Sequence, residues 1–202
     1  MEATHSIALP YLKQINYLQA TFFIFVSITA TTGQPANAQQ PTPAPLQVVE
    51  TAPHDDHNQL VVHATHTPEP LVIDGLLEDE IYLRTKPIDR FIQQVPNEGE
   101  PATDKTEVWI FFDEKNLYLS ARCWDDEPDK IVANELRRDS FGIYLNDNFA
   151  VGIDTFNDKR NGYLFQTNAI GGLGDGYMTD ERVHDRDFNT VWHTRSQKFN
   201  SG

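Results

Sequence analysis

Cysteine, basic residues and long apolar runs are all scarce in this chain. The single cysteine, Cys123, excludes an intramolecular disulfide and a zinc site built on cysteines. Only 16 Lys and Arg residues oppose 30 Asp and Glu residues, which leaves a formal charge of −14. Such a charge repels phosphate backbones, so it argues against nucleic-acid binding and favours neutral ligands or calcium. The longest apolar runs fall well short of the ~20 residues that a membrane-spanning helix needs.

The composition is nevertheless that of a folded chain. Hydrophobic residues make up 39% and aromatic residues 11% of the sequence, which argues against a wholly disordered protein. The length of 202 residues suffices for one ordinary domain with a short appendage.

The first 38 residues have the layout of a secretory signal peptide. Residues 20–28 (ATFFIFVSI) form an apolar run that is too short to span a membrane. Ala36 and Ala38 follow at the distance of a cleavage site, which predicts a mature chain that begins at Gln39. The protein is therefore expected to be exported and to be periplasmic, associated with the outer membrane, or secreted. A buried hydrophobic helix over residues 20–28 is the alternative interpretation.

A linker is expected to follow the signal peptide. Residues 39–58 are rich in Pro, Ala and Gln and cannot bury much apolar surface, which is typical of an extended segment. The run HDDH at residues 54–57 is an alternative metal-binding tract. The folded domain is then predicted to occupy residues 59–202.

Beyond the linker, short β-type runs alternate with turn residues. The clearest are two alternating runs that flank residues 113–116 and predict a β-hairpin with a four-residue loop. A short helix is predicted within residues 76–85, where apolar residues recur at helical spacing after acidic ones. The other predicted strands are 60–65, 71–75, 131–136, 141–145, 149–156, 163–170 and 190–199.

These elements predict the fold class. Several short, closely spaced strands with almost no helix indicate an all-β fold, an antiparallel β-sandwich. The turn at residues 157–162 is expected to place Phe156 opposite Tyr163. No strand pattern closes the sheet after the last run, so the sandwich is expected to be truncated at its C-terminal end and to belong to a longer chain.

Four segments, in this order, resemble the N-terminal domain of a family of bacterial secreted or outer-membrane proteins. They are PLVIDGLLEDEIY (70–82), TEVWIFFDEKNLYLSARCWDDEPDKI (106–131), RRDS with the ND that follows it (137–147), and VGIDTFNDKRNGYLFQTNAIG (151–171). That domain is similar to carbohydrate-binding module family 9, and in the family it precedes an outer-membrane β-barrel region.

The resemblance implies a non-catalytic β-sandwich that binds a sugar at one end and calcium in its loops. It places the family's aspartate at Asp147 and an aromatic ring at Tyr144, where sugar-binding members have Trp. The glutamate and the arginine of those members fall on Ala150 and Gln166. The ring is thus approximately kept, whereas the polar contacts differ.

Aromatic rings near loops are the residues expected to contact a sugar, because the C–H faces of sugar rings stack on them. Tyr144 and Tyr177 fit this description, whereas Trp109 and Trp124 lie on predicted strands and are expected to pack in the core. The predicted carbohydrate-binding residues are Tyr144, Asp147, Gln166 and Tyr177.

Carboxylates are crowded in the later loops. Asp147, Asp154 and Asp158 lie close to Asn residues, and oxygens of these kinds are the ligands of calcium. Their spacing does not match an EF-hand loop. Asp and Asn also form turns by accepting hydrogen bonds from their own backbone, so calcium binding and turn formation alone are both open interpretations.

The sequence contains no motif that singles out a catalytic group. Cys123 is expected to be a buried structural thiol, and GGLGDG (171–176) a flexible loop. The predicted function is therefore a non-catalytic, carbohydrate-binding-like module of an exported protein, serving polysaccharide binding or breakdown. Two alternatives stay open. One is a structural domain that docks on an outer-membrane β-barrel and has lost sugar binding, and the other is the targeting module of a glycoside hydrolase whose catalytic domain lies elsewhere.

Overall fold

The structure is a computed structural model that describes residues 60–180, 183–185 and 187–200. It also describes four short strands between residues 6 and 28. The predicted cleavage site and the predicted linker, residues 39–58, lie outside the described residues. Signal peptide and linker therefore stay predictions.

Short strands dominate the described chain. The strands are β1 (Ser6–Leu9), β2 (Lys13–Ile15), β3 (Thr21–Phe23), β4 (Phe25–Ile28), β5 (Leu60–His63), β6 (Thr65–His66), β7 (Thr106–Phe112), β8 (Leu117–Cys123), β9 (Asn148–Asp154), β10 (Gly162–Asn168), β11 (Leu173–Thr179) and β12 (Val183–Asp185). The helices are α1 (Glu80–Arg84) and two 3₁₀ helices, Pro128–Lys130 and Phe141–Leu145.

Two main sheets form the predicted β-sandwich. The large sheet has the order β12-β11-β10-β9-β4-β1-β5, and all its pairs are antiparallel except β4 with β9. The small sheet has the order β6-β7-β8, and β2 and β3 form a separate pair. Apolar residues of both sheets meet in one core cluster, which includes Val108 and Ile110 of β7 and Val151 and Ile153 of β9. The all-β fold class is thus confirmed.

The hairpin predicted around residues 113–116 is present. Phe112 pairs with Leu117, and the Asp113 carboxylate closes the loop by accepting the N–H groups of Lys115 and Asn116. The predicted helix is present as α1, and it covers the outer face of this hairpin. Its Tyr82 packs edge-on against two strand residues, with ring centroids 5.5 Å from Trp109 and 5.3 Å from Phe111.

Several predicted strands are wrong, and in each case a side chain takes hydrogen bonds that a strand would use. Residues 71–75 turn instead, because Asp74 accepts the N–H of Leu76. Residues 141–145 form a 3₁₀ helix whose first turn is capped by the Ser140 hydroxyl, which accepts the N–H of Gly142. Residues 131–136 and 190–199 belong to no strand, since the Asn146 side chain accepts two N–H groups of the first segment and the Asp175 side chain accepts the N–H of Thr190.

The predicted register of the second hairpin is also wrong. Tyr163 lies opposite Ile153 rather than Phe156. The Asp154 carboxylate accepts the N–H groups of Phe156 and Lys159, so the loop begins earlier and is longer than the sequence suggests. The predicted flexible loop at residues 171–176 is wrong as well, since β11 starts at Leu173 and pairs along β10.

A covering loop, defined here as residues 131–147, lies on one face of the large sheet. Buried side-chain amides attach it. Asn146 is 1% exposed, and its Oδ1 accepts the backbone N–H groups of Asn134 at 2.9 Å and Glu135 at 3.0 Å. The same oxygen accepts a hydrogen bond of 3.0 Å from Nδ2 of Asn168 on β10. Side chains, rather than a backbone ladder, therefore hold the covering loop on the sheet.

A C-terminal segment, residues 187–200, lies on the other face. Side chains alternate along β10, so Tyr163 and Phe165 point away from the covering loop. Their rings contact Phe188 at 5.1 Å and Trp192 at 5.3 Å between centroids. Ser196 Oγ donates to the Asn168 carbonyl at 3.0 Å and ties the segment down further along the strand.

The amide attachment generates a stability prediction. Asn146→Ala removes the oxygen that accepts three hydrogen bonds. Each buried hydrogen bond that is lost costs about 1 kcal/mol, so the free energy of unfolding should fall by about 3 kcal/mol. Chemical denaturation measures this loss. Asn97→Ala is the matched control, because Asn97 is exposed, and it should change the stability by less than about 0.5 kcal/mol. Equal stabilities of the two variants would contradict the proposed role of Asn146.

Candidate functional site

The 3₁₀ helix Phe141–Leu145 forms the outer rim of the candidate site. Ile143 is fully buried beneath it and anchors it to the large sheet, whereas Phe141 is 62% exposed. Tyr144 is half-buried and stacks on Phe141, with ring centroids 5.9 Å apart and an angle of 28° between the planes. The two rings form a short aromatic platform at the surface.

A small pocket opens beside this platform. Its volume is about 10 Å³, counted as the space open to the centre of a water-sized sphere. That space is about enough for one water molecule. The residues that line it include Asp139, Ser140, Tyr144, Gln166, Gly174 and Asp175.

Gln166 lies in the wall of the pocket and is 2% exposed. Its Nε2 donates to Asn148 Oδ1 at 2.9 Å, and Asn148 Nδ2 donates to the carbonyl of Asn146 at 2.7 Å. This chain of amides fixes the orientation of the Gln166 side chain. Its Oε1 lies beside Gly174, and within the described part of the chain no group donates a hydrogen bond to it.

Asp139 joins the covering loop to an open part of the sheet edge. Strand β12 pairs with β11 only from Tyr177 to Thr179, so the beginning of β11 lacks that neighbour. Asp139 fills the place, since its N–H donates to the Leu173 carbonyl and its Oδ1 accepts the N–H of Asp175, both at 2.9 Å. Its φ of 56° lies in the left-handed region, which Asp tolerates better than most residues.

The Asp175 carboxylate is fully buried and paired. Arg138 Nη2 donates to its Oδ1 at 2.5 Å, and the N–H of Thr190 donates to its Oδ2 at 2.8 Å. Arg138 also donates to the Thr190 carbonyl at 2.8 Å. One ion pair therefore links the pocket, the covering loop and the C-terminal segment.

Glu135 stabilises the turn that carries the rim. Its carboxylate accepts hydrogen bonds from the Arg137 guanidinium and from the Ser140 hydroxyl, both at 2.7 Å. The bonds to Arg137 and then to Ser140 lower the pKa of Glu135 to about 2. A charged Glu135 thus holds Ser140 at the pocket wall.

The structure brings together two of the four predicted carbohydrate-binding residues. Tyr144 and Gln166 line the same pocket, although the chain separates them widely. Asp147 instead fastens the covering loop, because its Oδ2 accepts the N–H of Val132 at 2.6 Å, and burial raises its pKa. Tyr177 packs against Tyr163, with ring centroids 5.3 Å apart, and does not line the pocket.

The three predicted calcium ligands do not lie together. Asp147 precedes β9 and Asp154 ends it, so roughly 20 Å of extended strand separates them. Asp154 and Asp158 accept backbone N–H groups of their own loop. In the described part of the chain, no three His, Cys, Asp or Glu side chains are grouped so as to hold a metal ion. These residues do not fit one shared calcium site.

Sequence reasoning missed several pocket residues. Asp175 and Gly174 lie in the run GGLGDG, where the glycines conceal the alternation of a strand. The sequence signal for this strand is the run from Leu173 to Thr179, which follows β10 after a short Gly-Gly turn. Burial of the thiol raises the pKa of Cys123 to about 11, although the residue as a whole is half-buried rather than buried as expected.

Fold and pocket together define a β-sandwich with a small surface pocket. A family model for the carbohydrate family 9 binding domain-like proteins matches residues 73–194, more than half of the chain. The chain therefore belongs to this family of carbohydrate-binding modules, which are typically non-catalytic. Comparisons with curated proteins and with solved structures give no match. The residues that the structure describes contain no helix long and apolar enough to cross a membrane.

The depressed pKa of Glu135 generates a pH prediction. A carboxylate whose pKa falls from 4.5 to about 2 on folding stabilises the protein above pH 4.5, and this contribution is lost as the pH falls towards 2. Glu135→Gln should therefore lower the melting temperature at pH 7 and lose its effect near pH 2. Glu114→Gln, at an exposed loop position, is the matched control and should leave the pH profile unchanged. A difference that is the same at pH 7 and pH 2 would refute the assigned role of Glu135.

Proposed function

We propose that this protein is a non-catalytic glycan-binding module and that the glycan binds at the platform of Phe141 and Tyr144. The observation that carries the proposal is the convergence of Tyr144 and Gln166 on one pocket beside an exposed ring. Membership of a carbohydrate-binding family supports it. An exposed aromatic pair next to buried polar groups is the arrangement that recognises a sugar ring and its hydroxyl groups.

The contacts predict weak binding. Stacking of a sugar on the platform contributes about 1 kcal/mol beyond burial, and each hydroxyl hydrogen bond contributes about 1 kcal/mol net. Association itself costs several kcal/mol, so these few contacts predict only weak binding. A formal charge of −14 favours neutral over acidic glycans.

We further propose that the module is exported and serves a longer chain at the outer membrane, in polysaccharide binding or breakdown. The apolar run at residues 20–28 and the site at Ala36–Ala38 support export. A second candidate function is a domain that docks on an outer-membrane β-barrel without binding sugar, and the changes at Ala150 and Gln166 favour it. The third is a targeting module of a glycoside hydrolase, in which another domain would cleave the O-glycosyl bonds.

Calcium binding stays a prediction from the carboxylate-rich sequence. If calcium binds the folded protein, it should raise the melting temperature by mass action, and magnesium should do so less because it retains its water. Melting curves in millimolar calcium, in magnesium and in a chelator test this. Identical curves would mean that Asp154 and Asp158 serve only to form their turn.

The glycan proposal is tested by calorimetry on the mature chain against soluble neutral oligosaccharides. Tyr144→Ala removes half of the platform and should weaken binding about tenfold, the equivalent of 1.4 kcal/mol. Phe156→Ala is the control, because Phe156 is an aromatic residue as exposed as Phe141 but lies in the β9–β10 loop outside the pocket, and the variant should bind like the parent. Absence of binding by the parent to every glycan would favour the docking domain.

A further inference from the structure

The pocket beside the platform accepts hydrogen bonds but has few to give. Gln166 Oε1 faces Gly174 without a donor among the described residues, and the Asp139 side chain is 21% exposed. The Ser140 hydroxyl already donates to Glu135 Oε2, at 2.7 Å. A ligand group that pairs with Gln166 Oε1 must therefore bring its own hydrogen-bond donor.

The size of the pocket limits that group further. With space for about one water molecule, the pocket cannot hold a sugar ring. A ring hydroxyl is held close to its ring, whereas an exocyclic hydroxymethyl group carries its oxygen one carbon further out. Of the polar groups of a hexose, the hydroxymethyl group thus reaches deepest while the ring stays on the platform.

We propose that the pocket binds the hydroxymethyl group of a neutral hexose, with its hydroxyl donating to Gln166 Oε1. This inference rests on the proposed glycan-binding function and adds the specificity-determining contact. The ring of the same sugar lies outside the pocket against Tyr144 and Phe141. The hydroxyl takes the position that one water molecule would otherwise fill.

The same wall excludes an acidic sugar. A uronate replaces the hydroxyl with a carboxylate, which has no hydrogen to donate to Gln166 Oε1. It would also approach the Asp139 carboxylate, and the nearby cation, Arg138, is already paired with Asp175 at 2.5 Å. Desolvation of an unpaired charge in this position is costly.

Gly174→Ala closes the pocket with little disturbance of the fold. A Cβ at this position would lie 3.6 Å from Gln166 Cβ and from Gln166 Oε1, and 3.7 Å from Ile143 Cδ1. These are ordinary contact distances, so the variant should keep the melting temperature of the parent. The added methyl group would cover Gln166 Oε1.

The experiment uses matched methyl glycosides and ligand-observed NMR titration of the mature chain. The neutral sugars are glucose, galactose and mannose, each compared with its 6-deoxy form and its uronic acid. At least one hexose should bind about tenfold more tightly than its 6-deoxy form, since one hydrogen bond is lost, and no uronic acid should bind detectably. In Gly174→Ala the hexose should fall to the affinity of its 6-deoxy form, whose own affinity should not change.

The outcomes separate this inference from the function on which it rests. Equal binding of a hexose and its 6-deoxy form, or binding of a uronic acid, overturns the hydroxymethyl contact and leaves glycan binding intact. A folded Gly174→Ala variant that still prefers the hexose also overturns the contact. If no sugar of the panel binds, the proposed function fails and the inference fails with it.

Discussion

The buried side chain of Asn146 is the interaction on which the candidate site depends. Its oxygen gathers two backbone N–H groups of the covering loop and the amide of Asn168 on β10. A buried polar atom is costly unless it is hydrogen-bonded, so each of these groups stabilises the arrangement only while the others are in place. This attachment helps to fix the 3₁₀ helix that carries Tyr144 over the large sheet, together with buried Ile143 and the hydrogen bonds of Asp139 to β11. The pocket exists because the covering loop is held at a fixed distance from β10.

The amides beneath the covering loop also determine the chemistry of the pocket. Asn148 accepts from Gln166 Nε2 and thereby leaves the other end of that amide, Oε1, as an acceptor towards Gly174. A buried network of this kind rigidifies its members. The site is consequently preorganised for a donor group, and little side-chain entropy has to be lost when a ligand binds. The aromatic platform above it provides contact area without defining which sugar is bound.

The ion pair of Arg138 and Asp175 connects this site to the opposite face of the sheet. Asp175 also accepts the N–H of Thr190, so the C-terminal segment and the pocket wall share one buried carboxylate. Removal of one partner from a buried pair leaves an uncompensated charge. The position of the pocket is therefore coupled to the packing of Phe188 and Trp192 on the other face, through residues that contact no ligand in the proposed site.

The sequence by itself determined the elements whose information is local. Alternation along β7 and β8 and the turn chemistry of Asp113 predicted their hairpin, and the apolar spacing around Tyr82 predicted α1. The sequence also placed Tyr144 and Gln166 among the binding candidates, through their family resemblance. The 3₁₀ helix Phe141–Leu145, the register opposite Tyr163 and the strand within GGLGDG were decided only by the tertiary structure. The 3₁₀ helix and the register depend on side chains that accept backbone N–H groups in place of a neighbouring strand. The strand within GGLGDG depends on its pairing with β10. Hydrophobic periodicity carries no information about these hydrogen bonds, even though the groups that make them lie close together in the chain.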